Sequence, residues 1–248
     1  RLENYYQDIP GQWGKIWLTK ESINNKIEYA IIKNGTIGLH VDSTSNENPS
    51  LEIKNSIINN MSGLGILAQG AHVIGENLLV SNCGQYGLAL NIGGKYDFKH
   101  CTFANYYTTQ SRQTPNVFLN NYYEDENGIT QLRPLEQANF SNCIIYGENE
   151  NELFLDYHDG TDFNYNFNHS LIKIDTTLHN ANEDQFFNQC LLNNDPAFIN
   201  VDIWNFELDS MSPAINIGSE NTALLVPYDI NGNYRVTLPD LGCFERID

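Results

Sequence analysis

At 248 residues with 41% apolar content, the chain is long enough to bury a sizeable core as one domain. Its 31 acidic and 13 basic residues give a net charge of −18, which argues against nucleic acid or an anionic membrane surface as partner, since both are held by clustered Lys and Arg. No stretch of 18 apolar residues is present, so no segment reads as a membrane span.

The chain opens at Arg1 without an initiator Met or a signal peptide and enters strand-like sequence within a few residues, so further coils or a cap are expected upstream. Seven segments then superpose position by position: IEYAIIKN (27–34), EIKNSIINN (52–60), GENLLVSN (75–82), FKHCTFAN (98–105), FSNCIIYG (140–147), FNHSLIKI (167–174) and FNQCLLNN (187–194). One aligned position holds Tyr29, Asn55, Asn77, His100, Asn142, His169 and Gln189. The next holds Ala30, Ser56, Leu78, Cys101, Cys143, Ser170 and Cys190. A strand motif returning at such a period marks a solenoid. Apolar residues alternate up to the polar position, as in Tyr96 and Phe98, then shift phase by one, as in Cys101 and Phe103. Such a slip demands a bend, and Asn tolerates the left-handed backbone that a bend requires. Each unit is therefore two short strands around a tight corner. Stacked about 4.8 Å apart, the corner Asn residues are placed to hydrogen-bond along the pile, with irregular ends at Tyr29 and Gln189.

A third strand precedes most units, at TIGLHV (36–41), GLGILA (63–68), YGLALNI (86–92), NVFLNN (116–121) and ELFLDY (152–157). Three strands per coil specify an all-β fold, a right-handed parallel β-helix of seven to eight coils, over residues 1–194. The 42 residues from Cys101 to Cys143 read as one coil with a long loop near 122–137. Position-by-position stacking of unlike segments has no reason in the competing antiparallel sandwich. Cys101, Cys143 and Cys190 read as inward-facing reduced thiols rather than as metal ligands.

Residues 195–248 are irregular and rich in Pro and Gly, and they read as a cap over the open end of the solenoid, continuous with it. Asp195-Pro196, Phe198, Phe206, Leu208, Ser212-Pro213-Ala214-Ile215, Gly218, Asp229, Gly232, Arg235, Pro239-Asp240, Gly242 and Glu245 resemble, in order and spacing, the choice-of-anchor Q domain of β-helix proteins on bacterial surfaces, notably of Bacteroidetes. Cys243 and Phe244 stand where that family more often has Ala and Tyr. GQWGKIWL (11–18) is similar to the Trp-Gly segment that opens a coil in such proteins. The resemblance implies an exported cell-surface or extracellular protein, an outer-membrane lipoprotein in one form, and it implies no activity. Asp229-Ile-Asn231-Gly-Asn233 has the look of part of a Ca²⁺ loop but lacks its closing acid. No cofactor is otherwise expected, and the chain reads as a monomer.

With the corner Asn, His and Cys assigned to architecture, functional candidates fall to the loops and to the outward side of the preceding-strand ladder. The ladder offers His40, Gln69, Asn91, Asn120 or Asn121, and Asp156. Loops 42–50, 122–137 and 156–164 leave it on one side, carrying Glu124, Tyr122, Tyr123, Tyr157, His158, Asp159 and Asp162. An acidic groove rimmed by aromatic rings suits a sugar. The first reading is a non-catalytic binder of glycan or another extracellular ligand, with His40, Asn91, Tyr122, Tyr123, Tyr157 and Asp162 as contacts. The second is a polysaccharide hydrolase or lyase using Asp156, His158, Asp159 and Glu124, which requires two carboxylates to converge across a bond. A lyase further needs cations, and only Arg112 and Arg133 lie nearby in sequence. The third is a structural stalk or adhesin module.

Overall fold

The computed structural model describes residues 6–181 and 184–247. Its first ladder is a six-stranded parallel sheet of Trp13–Leu18, Gly35–Val41, Leu64–Gln69, Leu88–Asn91, Val117–Asn120 and Leu153–Asp156, adjacent in that order. A twelve-stranded sheet supplies the other two ladders, which run up to and away from the corner. Leu51–Met61 and His72–Cys83 pass through the corner as continuous strands; elsewhere the corner splits the unit in two, as at Gly94–Lys99 and Thr102–Asn105. All pairing between coils is parallel, which gives the right-handed three-ladder β-helix.

The helix has six full turns rather than seven to eight, because the last repeat, Phe187–Asn188 and Leu191–Leu192, has no first-ladder strand preceding it. The 42-residue interval is a single coil. Gly94–Lys99 pairs directly with Leu135–Ser141, and Thr102–Asn105 with Ile144–Gly147, while the excess chain forms an antiparallel hairpin, Tyr122–Glu124 with Thr130–Leu132.

The phase slip has the expected cause. All seven corner residues are left-handed, with φ between 45° and 55°. Each corner turns the following residue inward, so Ser56, Leu78, Cys101, Cys143 and Ser170 are fully buried. The five cysteines are free thiols. Phe98, Phe140, Phe167 and Phe187 stack along the axis with centroids 5.2, 4.9 and 4.8 Å apart. Gly75 occupies the same rung one coil earlier, where a Cβ would lie 2.5 Å from the Phe98 ring.

The corner amides hydrogen-bond along the pile only in part. Asn77 donates to Asn55 at 2.9 Å, and Asn142 Nδ2 lies 2.9 Å from His100 Nε2. Between Asn77 and His100 the chain inserts Arg235, whose Nη2 donates to Asn77 Oδ1 (3.1 Å) and whose Nη1 meets His100 Nδ1 (2.6 Å). The interruption thus lies in the middle of the pile as well as at its ends.

Arg235 belongs to the C-terminal segment, which runs back along the outer flank of the third ladder. Phe206, Leu208, Ala214, Leu241 and Cys243 cover Leu79, Ala104, Ile144 and Leu171. Backbone N–H groups of Gly242, Ser219 and Cys243 bond to Asn142 O, Asn142 Oδ1 and Thr102 Oγ1. Asp229 closes a turn, its oxygens accepting from the backbone N–H of Asn231, Asn233 and Glu245 and from the Asn233 amide.

His100 gives this junction a pH dependence. Burial, and secondly the Arg235 charge, hold its imidazole well below the usual histidine range. Its two ring nitrogens face Asn142 Nδ2 and Arg235 Nη1, both donors; the neutral ring accepts from one of them, and protonation would remove that acceptor. The unfolded pKa is about 6.5, so the stabilising contribution of His100 is complete above that pH and is lost as pH falls through the lower folded value. Glu245, in the same segment, acts oppositely. Burial raises its carboxyl to about 7, so folding gains as pH falls from there toward the ordinary carboxylate range. Comparing melting curves with His100→Asn separates the two. The wild type is expected to lose Tm relative to the variant below about pH 6.5. Curves that stay parallel from neutral to acid would refute the assignment.

Candidate functional site

Along the first ladder, side chains alternate between the core and the outer face. Leu39, Ile66, Leu88, Val117 and Leu153 point inward and are buried. Strand register places the outward residues in two rows. His40, Leu67, Ala89, Phe118 and Phe154 form one. Gln69 beside Asn91, and Asn120 beside Asp156, form the other. The first row is largely apolar, with Phe118 and Phe154 stacked at 6.1 Å and Tyr86 beside Phe118 at 5.4 Å. Phe154 is 37% exposed. The face thus carries an aromatic stripe beside a stripe of amides and one carboxylate, with rungs about 4.8 Å apart.

At the first coil the stripe ends in a braced cluster. Trp17, 52% exposed, stacks on His40 with centroids 5.4 Å apart and planes 7° from parallel. Its Nε1 donates to Asp42 Oδ2 at 2.9 Å. His40 Nε2 faces Gln69 Oε1 (2.8 Å) and Asp42 Oδ1 (3.1 Å), both acceptors, so that nitrogen carries the proton and Nδ1 accepts from Lys15 Nζ at 2.7 Å. His40 is therefore largely buried and committed to its neighbours.

The three predicted loops are neighbours, as expected. Asn121 clamps the third loop, accepting from His158 N (2.8 Å) and donating to His158 O (3.0 Å). Tyr122 OH donates to Asp156 Oδ2 at 2.9 Å, and its ring lies 5.8 Å from that of His158. The Asp156 bond and burial hold the Tyr122 phenol above its usual range. Asp156, Tyr122 and His158 are thus brought together. Tyr123 turns to the other side of the hairpin, where Arg133 lies over its ring at 5.3 Å and donates to its hydroxyl. Tyr157 packs on Phe163 at 5.6 Å and is 61% exposed. Glu124 is exposed on the hairpin, and Asp159 and Asp162 are exposed in the third loop. Asn91 occupies the middle of the polar row.

Two clefts adjoin the polar row. One of about 480 Å³ is lined by Lys20, Asp42, Gln69, Tyr123, Arg133 and Glu136, among others. A smaller one of about 140 Å³ adds Glu47, His72 and Lys95 and shares the Thr44, Gly70, Gly94 and Glu136 wall. The four residues proposed for catalysis line neither. Sequence reading passed over Trp17, Lys20, Phe118 and Phe154. The Phe residues had a signal: NVFLNN and ELFLDY place a large ring at the outward phase, where alternation calls for a polar side chain.

No protein-family model matches the chain, and a search of curated proteins finds no match. What stands is a class, an all-β parallel solenoid, among whose described residues no helix is long and apolar enough to cross a membrane.

Proposed function

We propose that this chain is part of an exported cell-surface protein that binds glycan, without cleaving it, along the outer face of the first ladder. One observation carries the reading: two in-register stripes, aromatic (Tyr86, Phe118, Phe154) and amide-rich (Gln69, Asn91, Asn120), lie side by side across successive coils. Sugars present apolar C–H faces and hydroxyl edges, which such stripes complement. The C-terminal resemblance to the choice-of-anchor Q domain supports the surface location. Asp156 spends an oxygen on Tyr122, and Glu124 and Asp159 sit exposed on separate loops, an arrangement that favours binding over hydrolysis.

Phe118→Ala together with Phe154→Ala is expected to weaken glycan binding at least about tenfold, since each ring offers about 1 kcal/mol beyond its area. A glycan array with wild type and double variant, each checked for unchanged circular dichroism, reads this out. Silence of the wild type across the array would leave the stalk reading standing instead.

A further inference from the structure

The corner pile stops short at its N-terminal end. Asn77 Nδ2 donates toward the preceding coil, to Asn55 Oδ1 at 2.9 Å. The same sense directs the Asn55 amide N–H groups toward the next rung, which holds Tyr29 in place of an acceptor amide. Among the described residues the Asn55 side chain hydrogen-bonds only as an acceptor. A companion row of left-handed Asn residues is closed off instead. There Asn60 Nδ2 donates to Asn34 Oδ1 at 2.8 Å, and Asn34 Nδ2 to the Gln7 carbonyl at 2.7 Å.

Tyr29 is itself an anomaly. Its φ of 53° is left-handed, a steric outlier for a bulky side chain that Asn adopts far more readily. Its ring is 77% exposed, so little packing within the chain offsets the strain. Strain of this kind, kept without a structural return, points to use. On the C-terminal segment Tyr228 is 55% exposed, with Tyr234 edge-on to it at 5.6 Å. The Asn77 amide holds that segment in place by donating to the Tyr228 carbonyl at 2.7 Å. Both tyrosines line one cleft of about 410 Å³, together with Leu225, Asn55, Glu76 and Asn77. Its two carboxylates are engaged. Glu76 gives one oxygen to Lys54 at 2.9 Å, and Asp229 accepts four N–H groups.

We infer that this cleft is a second saccharide site, which takes a neutral sugar ring. The C–H face of a sugar packs on the exposed phenol rings, and its hydroxyls accept from the Asn55 amide and donate to the second Glu76 oxygen. The volume falls within the range of small-ligand clefts, roughly 300–1,000 Å³. A neutral ligand follows from the charges, since an acid would meet two carboxylates and a cation would compete with Lys54 for Glu76. None of these residues belongs to the first-ladder face, so the two sites stand or fall separately.

The test is NMR of the full chain with isotope-labelled tyrosine, titrated with maltotetraose, cellotetraose, mannotetraose and chitotetraose. The Tyr29 and Tyr228 signals are expected to shift together with at least one of these, and equally so when Phe118→Ala and Phe154→Ala are present. Tyr29→Asn is expected to raise Tm by about 2–4 °C, because the pile gains its missing amide and the strain is relieved. The same variant is expected to weaken binding, read at Tyr228, about fivefold. Greater stability with weaker binding is a result that a merely structural Tyr29 does not give. Silence of both signals toward all four oligosaccharides, or wild-type binding by Tyr29→Asn, would overturn the site.

Discussion

Replacing Arg235 by alanine is expected to destabilise the fold by about 3–5 kcal/mol, among the largest single effects available in this chain. Its guanidinium is almost wholly buried and holds four partners: Asn77 Oδ1, His100 Nδ1 and the carbonyls of Gly242 and Cys243. None is a carboxylate, and Nε has no partner, so burying this cation is itself costly. Burial accordingly lowers its pKa, while the charges of Asp229, Glu245 and Asp240 partly offset the effect. Truncation relieves that cost but strands four acceptors in a dry junction and opens a cavity, and the stranded groups dominate. Arg235→Met separates the two contributions, because it retains apolar bulk and loses every hydrogen bond. Urea unfolding gives the magnitude, and limited proteolysis should show residues 198–247 released first. A loss below about 1 kcal/mol would mean that the flank is held by its apolar contacts alone.

Phe140→Ala is expected to cost about 3–5 kcal/mol and to change how the protein unfolds. Phe140 is one of the two inner rings of the axial stack, touching Phe98 and Phe167, with Phe103 edge-on at 6.1 Å. In a solenoid each coil is stabilised by its neighbours, so a gap at one rung weakens the coupling between the two halves. Urea unfolding followed by near-ultraviolet circular dichroism and by hydrogen exchange should then show the coils around Phe167 and Phe187 opening before those around Leu51 and Val73. A single coincident transition with unchanged midpoint would count against the stack as the coupling element.

Much of the architecture was legible because it is local and repeated. A phase slip at seven equivalent positions, five of them Asn or His, admits one backbone explanation, a left-handed corner, and the φ values agree. The site was legible only to the level of loops. Tyr122, Asp156 and His158 do meet, yet nothing in their spacing showed that Tyr123 would turn away to Arg133, since a hairpin sends adjacent side chains to opposite faces. Lys20 and Arg133 are 113 positions apart and share a cleft only because stacked coils bring their loops together.

The course of the C-terminal segment marks the same boundary. The strands of the third ladder, after the corner, carried a hint, with consecutive apolar residues at Ile57-Ile58, Leu79-Val80, Ile144-Ile145, Leu171-Ile172 and Leu191-Leu192. Such runs mean a sheet covered on both faces. They do not say by what. Local sequence specified the corners and the coil interior, because each follows from steric preference and alternation within a few residues. Contacts across the fold decided that residues 195–247 lie along the outer flank of the third ladder, that Arg235 enters the corner pile, and which cations share a cleft. Those outcomes depend on contacts between residues far apart in the chain, such as Arg235 with Asn77 and Cys243 with Thr102, which no local pattern encodes.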